Sequence, residues 1–153
     1  MAEVRTIPYK PREHQLAIHQ ATDNSRFTVA VCHRRFGKTV AAINELIKAA
    51  VNCGREAPRY AYIAPTYTQA KRVAWDYLLK YAEPLEAKAN IAELRVDFWN
   101  RRISLYGADT PDSLRGIYLD GVVLDEVGDM NPRIWNEIIR PALADRQDRK
   151  SVV

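Results

Sequence analysis

Phe27-Thr-Val-Ala-Val31-Cys32-His-Arg-Arg-Phe-Gly-Lys-Thr39 decides how the rest of the chain is read. A brief β-rich run leads without pause into a tight loop, and the Ala-, Ile- and Leu-rich stretch Val40 to Val51 follows. The order predicts strand, loop and helix. A phosphate needs inward-pointing amides, a Lys near its outer oxygens and a hydroxyl for a magnesium ion. A loop that opens a helix supplies all three, aided by the helix dipole. Residues 32–39, namely Cys32, His33, Arg34, Arg35, Phe36, Gly37, Lys38 and Thr39, are therefore the expected nucleotide-binding loop, with ATP as ligand and Thr39 as a ligand of Mg²⁺. The full GxxxxGK[ST] pattern would place its first Gly at position 32, where Cys32 stands, so the strict motif fails there. Arg34 and Arg35 lie inside the loop, where a guanidinium can contact a γ-phosphate or a developing charge, with one of the two expected to point outward.

Gly121-Val-Val-Leu-Asp-Glu126 is the second decisive stretch. A short, continuously apolar run ending in two carboxylates reads as a buried parallel strand opening into a site at its C-terminal end. In phosphoryl transfer to water, one carboxylate holds Mg²⁺ and a neighbour orients and deprotonates the water. Consecutive strand residues face opposite ways, so Asp125 and Glu126 share a site only if the strand is already ending at Glu126.

Around these two stretches the chain alternates. Pro8 and Pro11 mark an extended start and Glu13 to Ala21 a short helix. Tyr60-Ala-Tyr-Ile-Ala64 reads as a strand, and Thr68 is the expected N-cap of a helix running to Tyr81, stopped by Pro84. Leu94, Val96 and Phe98, a turn at Asn100-Arg101, then Ile103 and Leu105 suggest a β-hairpin. A helix from about Pro132 to Arg140 follows the acidic strand. Ser151-Val-Val153 begins another β-like run, so the chain reads as cut short where a strand starts. With no repeat or linker, residues 1–153 are expected to form one domain.

The 23 Lys and Arg against 19 Asp and Glu leave a formal +4, which suits a polyanion partner without the charge of a basic arm. No apolar stretch approaches the roughly 18 residues that span a bilayer, and Met1 to Gln15 lacks the apolar core of a signal peptide, so a soluble cytoplasmic protein without a membrane role is expected. Cys32 and Cys53 have no metal-site spacing and read as reduced thiols. His14, His19 and His33 have no ligand-like spacing, and Trp75 and Trp135 read as core or interface residues. Tyr9 and Gln15 bracket Pro11, so a ring could stack on adenine while an amide reads its edge, although Gln15 alone reads more simply as a solvated helix residue. Arg115, in Asp112-Ser-Leu-Arg-Gly116, is either a catalytic arginine or the partner of Asp109 or Asp112 in a loop ion pair.

Together these segments resemble the ATPase half of the phage large terminase, the motor that packages double-stranded DNA into a procapsid. Tyr9-Lys-Pro-Arg-Glu-His-Gln15 looks like that family's adenine-contacting segment. Cys32 to Thr39 resembles its variant phosphate loop, in which the first Gly is often replaced and an Arg is usual at the position of Arg34. Ala64-Pro-Thr-Tyr-Thr-Gln-Ala-Lys-Arg-Val-Ala-Trp75, Ser113-Leu-Arg-Gly116 and Val122-Val-Leu-Asp-Glu126 are similar to further family segments. The resemblance covers nearly the whole chain. It implies an α/β, additional-strand (ASCE), RecA-like P-loop NTPase fold with a mostly parallel sheet, flanking helices and a small β-hairpin insertion. It assigns Glu126 as catalytic base, Asp125 and Thr39 to Mg²⁺, and Arg34 to catalysis. It further implies a homo-oligomeric ring at the portal, in which a neighbour's Arg, here Arg115, completes the site. Double-stranded DNA, the portal protein and the small terminase are the implied partners, in the bacterial cytoplasm and transiently at the procapsid portal. The family's coupling motif would begin right after Val153, and its nuclease domain has no counterpart in the sequence. A helicase-type DNA translocase, a non-catalytic remnant docking to portal or small terminase, and a generic nucleic-acid binder are the alternatives.

Overall fold

The computed structural model describes residues 4–144 and the backbone of residues 151–152. Its elements in chain order are α1 (Glu13–Asn24), β1 (Phe27–Thr28), α2 (Lys38–Asn52), β2 (Arg59–Ala64), α3 (Tyr67–Ala82), β3 (Lys88–Asn90), β4 (Arg95–Phe98), β5 (Arg101–Gly107), β6 (Gly121–Leu124), α4 (Arg140–Ala144) and β7 (Ser151–Val152). The strands form one sheet in the order β1-β7-β6-β2-β5-β4-β3. Pairing is parallel from β1 to β5 and antiparallel from β5 to β3. The expected hairpin is β4–β5, and its second strand also pairs with β2, so the hairpin extends the main sheet. Its turn falls at Trp99-Asn100, one residue earlier than expected, with both residues at positive φ (46° and 66°), as the tightest hairpin turns require.

Apolar side chains cover both faces of the sheet. Tyr60, Tyr62 and Ala64 of β2 pack with Ile43, Leu46 and Ile47 of α2 and with Ala74, Trp75 and Leu78 of α3. Ala61 and Ile63, pointing the other way, pack with Val122 and Leu124 of β6, and with Ile134, Ile138 and Ile139. Double-sided burial is why the central strands read as continuous apolar runs. Trp75 is a core residue, and Trp135 packs beside the second cluster.

Several expectations change in detail. The strand expected over Phe27 to Val31 is paired only at Phe27 and Thr28, opposite Ser151 and Val152 of β7. Among the described residues the pairing of this run ends at Thr28, and Val29 and Val31 are 73% and 97% exposed. The third residue of the expected terminal run, Val153, lies outside the described residues. The N-cap of α3 is Thr66, not Thr68: its side chain accepts from the Gln69 amide at 3.0 Å. Capping there starts the helix at the first residue after the Pro65-Thr66 break. The helical stretch before α4 is wound as a π-helix over Trp135–Ile139. Pro141 supplies the reason, because its ring clashes with the carbonyl four residues back and widens the preceding turn.

Candidate functional site

Two loops meet at the C-terminal ends of the parallel strands, where ligand clefts form in open α/β sheets. The first is the segment 32–37. Gly37 sits at φ +84° as the N-cap of α2, a left-handed conformation that glycine adopts without steric cost. Its position is crowded: a Cβ here would lie 2.5 Å from Arg12 Nη2 and 2.6 Å from Gln15 Nε2. Both side chains hold the loop by its carbonyls. Gln15 Nε2 donates to Gly37 O at 3.0 Å, and Arg12 Nη2 donates to Phe36 O at 2.7 Å. The Arg12 amide in turn donates to Gln15 Oε1 at 2.9 Å, which fixes the orientation of the Gln15 amide group. Gln15 is 4% exposed, so the solvated helix residue expected from the sequence is instead a buried strut under the loop. The part played by Arg12 is not legible in the sequence, because an arginine after a proline carries no local signal of a distant backbone acceptor.

The second loop follows β6. The Asp125 amide donates to Ile63 O at 2.9 Å, carrying the ladder one residue past the strand. Glu126 then adopts φ +55°, ψ +46°, a left-handed conformation costing a non-glycine residue roughly 1–2 kcal/mol. That turn cancels the alternation of the strand and lets neighbouring carboxylates face the same cation. Lys38 Nζ donates to Glu126 Oε1 and lies 3.5 Å from Asp125 Oδ1. Thr39 Oγ1 donates to Asp125 Oδ2 at 3.4 Å, and the Tyr62 hydroxyl donates to the same oxygen at 2.5 Å. Tyr62 is a core residue of β2 whose link to Asp125 depends on the register that sets Tyr62 beside Val123.

The electrostatics follow from these contacts. Burial alone would lower the Lys38 ammonium, but its hydrogen bond to Glu126 and the charges of Asp125 and Glu126 outweigh that and hold it above the ordinary lysine value. Burial, with Asp125 adding to it, pushes the Tyr62 phenol up, so Tyr62 stays a donor. Burial likewise raises the Cys32 thiol, with Lys38 opposing and Asp125 reinforcing, so Cys32 favours the neutral form.

Cys32 to Val40, with Arg72, Val73, Asp76, Tyr77, Glu126 and Asp129, line a cleft of about 930 Å³. All the expected loop residues, Cys32, His33, Arg34, Arg35, Phe36, Gly37, Lys38 and Thr39, therefore border one space. Arg34 and Arg35 are both exposed and both border the cleft. Tyr9 and Arg115 are placed elsewhere. The Tyr9 hydroxyl meets His19 Nε2 at 2.8 Å, and its ring packs edge-on against His19 and Tyr81. It borders a separate hollow along the later turns of α2, beside Asn44, Lys48 and Asn52. Arg115 is 61% exposed and lies 3.4 Å from Asp112, the loop ion pair that its sequence context allows, and it does not line the cleft.

Comparison with known proteins bears on this arrangement. No protein-family model matches the chain. It is 32% identical to the large terminase subunit of Thermus virus P23-45 and 33% identical to that of Thermus phage G20c, over 92% of its length in both cases. It superposes on the large terminase ATPase domain of Thermus phage P74-26 with a TM-score of 0.81 and 29% identity, covering 95% of this chain. Over nearly its whole length the chain is similar to part of the phage large terminase. It spans 32% of the length of both curated large terminases and 65% of the P74-26 ATPase domain. The large terminase of a thermophilic bacteriophage, solved in complex with ADP, shares the fold at 18% identity and a TM-score of 0.74, over 92% of this chain and 37% of its own. The RecA-like fold expected from the sequence is that of the large terminase ATPase domain, with β7 as the additional strand between β1 and β6. Among the described residues no helix is long and apolar enough to cross a membrane.

Proposed function

We propose that the chain is the ATP-binding and hydrolysing part of a large terminase that drives double-stranded DNA into a procapsid. The observation that carries the reading is the meeting of Lys38, at the start of α2, with Asp125 and Glu126, 87 and 88 residues later, at the end of β6. A cation that neutralises phosphate, amides at a helix N-terminus and two carboxylates share one cleft, which is the equipment phosphoryl transfer to water requires. In this reading Lys38, Arg34 and Arg35 face the phosphates. Glu126 takes the proton of the attacking water as its oxygen bonds to the γ-phosphorus and the bond to the ADP oxygen breaks. Tyr62 and the Ile63 carbonyl keep Asp125 fixed beneath.

The Thr39 hydroxyl and Asp125 carboxylate, 3.4 Å apart, are hard oxygen donors of the kind magnesium accepts beside phosphate and water oxygens. They would hold the ion, which when bound supplies charge neutralisation at the β- and γ-oxygens.

Similarity to the large terminases supports the setting: a homo-oligomeric ring on the portal, small terminase as partner, and action in the host cytoplasm and at the procapsid. Arg115 suits a role in a neighbour's site, since it is exposed, does not line its own cleft and is held among the described residues by a surface ion pair worth roughly 0–1 kcal/mol. Nucleotide affinity of Lys38→Ala tests the core of the reading. At least a tenfold loss is expected from removing a charged phosphate donor, whereas unchanged ATP affinity would overturn the assignment.

A further inference from the structure

We propose that Arg72, on the α3 part of the cleft that the phosphate loop also lines, is a further substrate-binding residue that contacts the terminal phosphate of the nucleotide. The inference rests on the nucleotide reading above and adds to it a residue from an element outside the phosphate loop and acidic strand. Arg72, Val73, Asp76 and Tyr77 lie on one face of α3 by their spacing, and that face borders the cleft together with Glu126 and Asp129. Two residues separate the end of β2 from the start of the helix, and β2 is the strand whose Tyr62 and Ile63 fix Asp125. The Arg72 wall and the acids are thus anchored to the same strand.

Arg72 is exposed and its side chain makes no hydrogen bond or ion pair with any other described residue, although Asp76 stands one turn on at the spacing of an intrahelical pair. Arg34 and Arg35 of the phosphate loop line the same cleft, and Arg72 is the arginine that α3 adds to that lining. The charges around the cleft give the free guanidinium a task. Asp76, Glu126 and Asp129 line it, and Lys38 is already shared between Asp125 and Glu126. A phosphate seated on the first turn of α2 shares the cleft with these carboxylates, and Arg72 is a cation on the same lining that can offset them. A planar guanidinium can grip two oxygens of one phosphate at once. Glu126 serves the water that attacks the γ-phosphorus and lines the same cleft as Arg72, so the terminal phosphate is the one assigned to Arg72.

Affinities of the 153-residue chain for ATPγS and ADP, both with magnesium, decide the matter. Arg72→Ala should weaken ATPγS roughly tenfold or more and leave ADP within about twofold, with Arg72→Lys in between because it keeps charge but loses the fork. Arg72→Gln, which keeps length and helix propensity, should repeat the selective loss at an unchanged thermal midpoint. Equal weakening of both nucleotides, or ATPγS affinity unchanged, overturns the role of Arg72. Lys38→Ala separates this from failure of the parent reading. If it weakens both nucleotides while Arg72→Ala weakens neither, only the Arg72 inference falls; if the unmodified chain binds neither nucleotide, both fall.

Discussion

β6 and β1 both lead into the cleft, flanking β7, yet they are held in different ways. β6 is paired on each side, all four of its residues are buried, and the ladder continues through the Asp125 amide. β1 is paired at two residues, after which Val29 and Val31 emerge into solvent. The acids are therefore set by the sheet, whereas the loop bearing Lys38 is set from the side by Arg12 and Gln15 at the start of α1. Changes on the β6 side should alter chemistry at a preserved site. Changes on the β1 side should alter the shape of the site itself.

The largest effect expected is on the β6 side. Glu126→Gln keeps the size of the side chain but cannot take a proton, so ATP turnover should drop by roughly 10²–10⁴, the usual worth of a positioned general base, while ATP affinity is kept. Phosphate release under saturating ATP measures it. Turnover at the parental rate would move the base elsewhere in the cleft, with Asp129 the next carboxylate on its lining.

Gly37→Ala is the corresponding break on the loop side. The substituted residue must hold φ +84° with its Cβ within 2.6 Å of Arg12 Nη2 and Gln15 Nε2. Those side-chain ends can swing away, but only by giving up their bonds to Phe36 O and Gly37 O. Backbone strain of roughly 1–2 kcal/mol and two lost hydrogen bonds of about 1 kcal/mol each set an expected destabilisation of about 3–4 kcal/mol in urea unfolding. A loss under about 0.5 kcal/mol, the range of neutral surface changes, would show that α1 does not hold the loop.

Gln15→Ala sharpens the same point with a smaller effect. Removing a buried amide that bridges the Arg12 amide and Gly37 O should cost roughly 1–3 kcal/mol. Because both of these bonds go to backbone, ATP and GTP affinities should fall by the same factor. A selective fall for ATP would restore the adenine-reading role that the sequence proposes for Gln15.

What can be read from the sequence differs along the same divide. The Val122-Val-Leu run betrays β6 because a strand covered on both faces is apolar at every position, and its two carboxylates mark the end. The left-handed turn at Glu126 is invisible beforehand, since glutamate has no preference for it. β1 looks longer in the sequence than it is because its residues are β-favouring, while pairing depends on a partner more than 120 residues away. Tyr9 and Gln15 share one short segment and look alike in purpose. The structure separates them, seating Gln15 under the phosphate loop and packing Tyr9 on His19 and Tyr81.

The packing of Tyr9 gives the smallest and most specific test, because it seats the segment that delivers Arg12 and Gln15. Burial, reinforced by Tyr81 and Glu45 and opposed by Arg12, raises the phenol from 10.0 to about 12. The folded chain thus keeps the proton more tightly than the unfolded chain. The resulting stabilisation is complete below pH 10 and is lost as pH rises toward about 12. Lys38 and Tyr62 are raised as well and lose stability in the same direction, so the informative quantity is the difference between parent and Tyr9→Phe. The variant forfeits the bond to His19, about 1 kcal/mol at neutral pH, but has no phenol to ionise. Its stability should fall less steeply than the parent's between pH 10 and about 12, so that the two unfolding curves converge. Parallel curves would mean that the Tyr9 phenol ionises as freely folded as unfolded, and that α1 reaches the loop without this packing behind it.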